Sequence, residues 1–415
     1  MGFTLAFFGC LVRLCSSLFD VGSDVINSLD FQGIGASTTI SNLVLPYGET
    51  NSTLTLDDVE VHTIWGCVGI AIIFLPGIMM LPPFLCLLIG DKNWGYIFVL
   101  ICTLPLFPLT LMLVHVINLI STYSSGISTS YDKVALTMVG AEAFFESFLQ
   151  MVLQGHTILN SYQLTTVQLI TIVASFILLA RTAIEFDIFM RKKDLECCEI
   201  VAHTLKTIPV YASTIVFRVV SISLTTAFLR YWSIIPMLCL FLESSYIAHL
   251  RYAKVRSKLD RFAYVYWSSL TNLGVLNANN LSDFLALEDD EAMKRGSTPQ
   301  LRSSDQLKGA QKFIRRSSII TFVHHASTLS VIMALSTHYP EFFGNFTQGH
   351  CDNLILTPTG CHFYTVFGGT MVLGFYATIL TLYEARMVVD VQKEKLRDFN
   401  KSLKRMSPIK IIQID

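Results

Sequence analysis

Carboxylates and arginines set inside apolar windows are the residues of this sequence most able to do chemistry. Residues 3–27 hold Arg13, Asp20 and Asp24 at steps of seven and four, and Ser17 and Asn27 extend that helical stripe. Residues 138–158 hold Glu142, Glu146, Gln150 and Gln154 at steps of four. Residues 164–189 carry Arg181 and Glu185 at i,i+4, with Asp187 near the end. Residues 203–229 carry Arg218, flanked at helical spacing by Thr214, Ser221 and Thr225. Glu243 lies in 232–250, and the adjacent His324 and His325 lie in 317–337. A lone acid at mid-bilayer costs about 2.5–3.5 kcal/mol on insertion scales, so these acids must face the bundle interior, pair with Arg13, Arg181 and Arg218, or line a hydrated groove. Two readings stay open. One is a closed set of buried salt bridges that only fixes helix packing. The other is a polar stripe that hydrates and handles charged headgroups or ions. The acids outnumber the arginines, which favours the second. The two histidines read as hydrogen-bonded core residues rather than metal ligands.

The elements that must position these groups are membrane helices. Apolar residues make up 52% of the 415 and charged residues 15%, against about 25% charge in a soluble domain. Mean hydropathy is +0.53. The 30 basic and 31 acidic residues leave no excess to meet a phosphate backbone, which argues against nucleic acid as a partner. Apolar windows cover 3–27, 63–90, 94–120, 138–158, 164–189, 203–229, 232–250, 317–337 and 362–386, with a weaker one at 262–280. Residues 3–27 read as a retained first helix rather than a signal peptide, because no positive charge precedes them and no clear cleavage site follows.

Basic residues set the orientation. Outer loops 28–61 and 338–361 contain no Lys or Arg, whereas 190–202, 251–261, 281–316 and 386–415 hold three, five, seven and eight. The basic stretches, and with them both termini, are placed in the cytoplasm. Sequons at Asn51 and Asn345 fall in the outer loops as glycosylation candidates, although Asn280 and Asn400 also head sequons on the inner side. Cys351 and Cys361 either pair in an oxidising space or remain free thiols. Cys197 and Cys198 are juxtamembrane thiols, open to acylation or simply free.

Ten full crossings conflict with this charge pattern. A re-entrant hairpin at 94–120 repairs the parity, and Pro105 and Pro108 supply the helix break. Residues 262–280, with a polar TNLGVLNANN stretch, make a second hairpin. The expected architecture is all-α, with eight transmembrane helices plus two re-entrant hairpins arranged as two pseudo-repeats. It divides into a bundle over 1–389, with a disordered cytoplasmic linker at 281–316, and a basic tail at 390–415. The linker contains RSS at 302–304 and RRSS at 315–318, both possible phosphorylation contexts.

Four segments carry a family likeness. LFDVGSDVINSLDF at 18–31, AEAFFESFLQMVLQG at 141–155, FRVVSISL at 217–224 and FAYVYWSSLTNLGVL at 262–276 together resemble the XK-related proteins in content and order. Two departures stand out: Phe148-Leu149 replace the Ala-Pro common in the family, and Glu185 replaces an Asp. The resemblance implies a phospholipid scramblase without enzymatic activity, cofactor or metal, moving lipids such as phosphatidylserine between plasma-membrane leaflets. Asp20, Asp24, Glu142, Glu146, Gln150 and Glu185 would line the headgroup path, with Arg218 as counter-charge and Arg13 and Arg181 as charge partners. It also implies accessory membrane or lipid-transfer proteins as partners. No convincing caspase DxxD site stands in the cytoplasmic regions, and no GxxxxGK[ST] loop occurs. The rival readings are a non-transporting scaffold and an ion or solute transporter.

Overall fold

A computed structural model describes residues 2–31, 56–90, 104–125, 138–161, 165–191, 197–252, 304–338 and 366–384, with short pieces between 258 and 269. Nearly all of these residues are helical, as a backbone in hydrocarbon must be to satisfy its own hydrogen bonds. We number the helices α1 (Gly2–Phe31), α2 (Leu56–Gly90), α3 (Phe107–Ser125), α4 (Phe148–Ser161), α5 (Thr166–Arg191), α6 (Cys197–Leu229), α7 (Ile234–Tyr252), α8 (Ser304–His338) and α9 (Val366–Glu384).

Seven helical segments among the described residues are long and apolar enough to cross a membrane. Six of them fall in α2 and α5–α9, where spans are expected. The seventh, Leu104–Tyr123, occupies the segment read from sequence as a hairpin. Its prolines act as expected locally: Leu104–Leu106 is a 3-10 turn, and Pro108 falls in the first turn of α3, where its missing N–H costs nothing. The preceding residues 94–101, which would form the other arm, lie outside the described residues. So do most of 262–280, the sequons at Asn51 and Asn345, Cys351, Cys361 and the tail at 390–415. The hairpins, the count of eight and the pseudo-repeat therefore remain expectations.

The linker reading needs correction. α8 begins at Ser304, so 304–316 is helix rather than disordered chain. The apolar run ends near residue 317, but the backbone hydrogen bonds continue into the polar sequence. Ser317 and Ser318 are buried on this helix, which removes them as accessible phosphorylation sites.

α1 lies at the centre of the first half, packed against α2, α3 and α5. α4 and α5 pack on α6, which in turn carries α8 on its other side. One apolar core joins α2–α6 through residues such as Met80, Phe107, Phe144, Leu179 and Tyr211. A second joins the end of α6 to α8 and α9 through Leu224, Phe228, Leu329 and Phe367. α5 starts on a capping box: Gln168 N donates to Thr165 Oγ1 at 3.1 Å, and Thr165 N donates to Gln168 Oε1 at 2.9 Å. Two close approaches set helix spacing. A Cβ on Gly77 would collide with the Leu104 carbonyl, and one on Gly155 would collide with Ser223 Oγ.

Candidate functional site

The polar stripe of α1 is wholly interior. Ser17, Asp20, Asp24 and Asn27 are each at most 1% exposed. The facing wall is Glu142–Ser147, which adopts a π-helix, with the Phe148 N–H bonding to the Ala143 carbonyl. Such wide turns insert an extra residue into the helix and recur at functional sites. Here every residue of the segment is buried, including Glu142 and Glu146. α4 continues the wall with Gln150 and Gln154, both fully buried.

Hydroxyl groups, rather than cations, serve the central acids. Ser17 Oγ donates to Glu142 Oε2 at 2.7 Å. Ser147 Oγ donates to Asp20 Oδ2 at 2.8 Å, and Ser175 Oγ to Asp20 Oδ1 at 3.2 Å. Ser17 Oγ also lies 3.4 Å from His115 Nε2 on α3. Gln150 Nε2 donates to the Gly69 carbonyl of α2 at 3.0 Å. Among the described residues no ion pair reaches Asp20, Asp24, Glu142 or Glu146. Both oxygens of Asp24 and of Glu146 lack a hydrogen-bond partner, as do Glu142 Oε1 and the side-chain amides of Asn27 and Gln154. Leaving such groups buried and unmatched costs about 1–3 kcal/mol each, and more for charged ones.

Glu185 stands apart from these four. It receives Arg13 Nε at 3.0 Å and Arg181 Nε at 2.8 Å, and the three side chains are 19–24% exposed. Arg181 Nη1 also donates to Ser16 Oγ at 2.8 Å. Two of the three arginines expected to balance the stripe, Arg13 and Arg181, thus converge on its least buried acid. Arg13 and Asn27, fourteen residues apart on α1, are about 21 Å apart at 1.5 Å rise per residue, against a hydrocarbon core of about 30 Å.

Arg218 is 1% exposed on α6, and among the described residues no ion pair joins it to the four central acids. His325 on α8 stands edge-on to the neighbouring Phe217 at 5.2 Å. Glu243 and His324 pair across α7 and α8, with Oε1 and Nδ1 3.1 Å apart. Sequence reasoning named both residues without joining them. It missed Ser147, Ser175 and His115. The buried hydroxyl stripe Thr171, Ser175 and Thr182 on α5 was the available signal for Ser175, whereas a single histidine in an apolar helix gives none.

The inner face of α3 completes the enclosure. Thr110, His115, Asn118 and Thr122 are each at most 2% exposed, while Leu109, Leu113, Ile120 and Tyr123 face outward. Asn118 Nδ2 donates to Cys10 Sγ at 3.3 Å, and Cys10 Sγ lies 3.7 Å from Thr122 Oγ1. The seam between α1 and α3 is therefore polar along much of its length.

Comparison with known proteins bears on this arrangement. No curated protein is significantly similar to the chain. The XK-related protein family matches residues 90–266, a segment that holds the π-helical acids, the Arg181–Glu185 pair and Arg218. That match supports the placement of this multi-pass helical membrane protein in the XK-related family.

Proposed function

We propose that the protein is a phospholipid scramblase of the plasma membrane, with both termini in the cytoplasm and no enzymatic activity. The observation that carries this reading is the unmatched acidic stripe: Asp24 and Glu146 are buried with no hydrogen-bond partner for either carboxyl group. A fold built only for rigidity gains nothing from acids left in that state. Acids that meet water and a passing headgroup in an open form do gain their missing partners there.

The stripe is sealed in this conformation, so transport requires an opening. The α1–α3 seam is the place for it, because Thr110, His115, Asn118 and Thr122 can exchange protein partners for water at little cost. Headgroups such as that of phosphatidylserine would then move past Asp24, Glu146, Asp20 and Glu142 towards Glu185 while their acyl chains stay in lipid. Arg13 and Arg181 would meet the phosphate near the Glu185 end. No step needs a nucleotide, and flux runs down the gradient in both directions. Accessory membrane or lipid-transfer proteins would set when the seam opens.

The sealing also favours a second reading, in which the protein is a scaffold for a membrane partner and moves no lipid. One experiment separates the two. Purified protein is placed in liposomes with a fluorescent phospholipid, and dithionite is added outside. Without flux about half the signal survives, from the inner leaflet. Loss well beyond half, slowed in Glu146→Gln, is the expected result. Survival of that half in both wild type and a variant lacking residues 388–415 would sink the scramblase reading in favour of the scaffold.

A further inference from the structure

Outside the stripe, α7 and α8 line an open-sided cavity of about 590 Å³. That lies within the range of about 300–1,000 Å³ typical of small-molecule sites. Ile235, Pro236 and Cys239 of α7 and Ile319, Val323 and Val331 of α8 form apolar walls. The wall residues of α8 run from 319 to 331, about 18 Å of helix at 1.5 Å per residue. Halfway along stand Glu243 and His324, with Ser327 and Thr328 one turn further on.

This polar centre has a definite hydrogen-bonding demand. With His324 Nδ1–H donating to Glu243 Oε1, His324 Nε2 is left as an acceptor, and both it and Glu243 Oε2 lack a partner. Thr328 is already committed, since its hydroxyl donates to the His324 carbonyl at 3.0 Å. The Glu243 side chain is 38% exposed, unlike the sealed acids of the stripe. Those two unmatched atoms are themselves covered, so the otherwise apolar groove meets the pair through the Glu243 carboxyl group. The terminal carboxyl torsion turns easily, so either oxygen can face the cavity.

We propose that this groove binds a membrane phospholipid whose headgroup carries N–H donors, a primary amine rather than a quaternary one. The amine meets the Glu243 carboxyl group, and the chains lie along Ile235, Val323 and Val331. A choline headgroup has no N–H to give and cannot satisfy the pair. The site is separate from the stripe, and occupancy needs no transport, so it stands or falls independently of the scramblase reading.

Cys239 supplies a reporter, since it is a free, exposed thiol on the groove wall. Full-length protein in detergent micelles is alkylated with N-ethylmaleimide, and peptide mass spectrometry follows Cys239. Cys67, a free exposed thiol on α2, serves as the internal reference. Phosphatidylethanolamine is expected to slow labelling of Cys239 several-fold relative to Cys67, and phosphatidylcholine is expected to leave it unchanged. Glu243→Gln should weaken the protection, and His324→Phe, which removes the ring that orients the Glu243 carboxyl group, should do the same. Equal protection by both lipids would overturn the selective site, and no protection by either would overturn the site altogether. Protection that persists in Glu243→Gln and His324→Phe would remove the polar pair from the argument.

Discussion

Arg13 and Glu185, 172 residues apart in sequence, meet at 3.0 Å and tie α1 to α5. Arg181 reaches the same carboxylate from one turn away, so Glu185 carries two guanidinium groups. Its replacement is therefore costly. Glu185→Gln leaves two part-buried cations to repel each other, and the loss is expected at about 1–3 kcal/mol, between the values for exposed and fully buried pairs. Thermal unfolding in detergent reads this as a lower Tm, and an unchanged Tm would show the pair to be energetically idle.

Asp24→Asn and Glu146→Gln should behave in the opposite way. Both acids are buried without partners, so an uncharged isostere removes desolvation cost instead of an interaction. We expect Tm to hold or rise while lipid flux falls, a trade between stability and function. A variant that keeps full flux at raised Tm would detach that acid from the path.

Ser17→Ala tests the hydroxyl contacts. The Ser17 hydroxyl is the donor to Glu142 Oε2, and Glu142 Oε1 already lacks one. Its removal leaves a buried carboxyl oxygen without its partner and should cost about 1–3 kcal/mol. Ser17→Thr should restore most of that, and a Tm equally low in Ser17→Thr would point to packing instead.

A disulfide can test the proposed seam. Cys10 and Thr122 already face each other, with Sγ and Oγ1 3.7 Å apart, so Thr122→Cys places two thiols within reach of a bond after a small adjustment. Oxidation should close the α1–α3 seam and stop flux, and reduction should restore it. Undiminished flux in fully cross-linked protein would move the opening elsewhere.

The glycines give a paired stability test. Gly77→Ala drives a Cβ into the Leu104 carbonyl, a backbone atom that cannot swing aside, and should cost about 1–3 kcal/mol as an overpacked site. Gly22→Ala meets nothing within 4 Å and should be neutral or slightly stabilising. Equal Tm values for the two would argue against close packing of α2 on the 3-10 turn.

The sequence by itself determined that helices cross a membrane and that particular acids must turn inward. Apolar run length and the cost of a charge in hydrocarbon depend on one segment at a time, so the windows for α2 and α5–α9 and the faces of Asp20, Asp24, Glu142 and Glu146 were legible. Helix ends were less so: α8 begins at Ser304 because backbone hydrogen bonding does not stop where hydropathy does. Only the tertiary structure decided the partners. Spacing fixes which side of its own helix a residue occupies, but not which helix faces it. Arg13 and Arg181 therefore went to Glu185, and serines went to Asp20 and Glu142. The π-helical turn at Glu142–Ser147 was also beyond sequence reading, because a four-residue step is compatible with either winding until neighbouring helices choose between them.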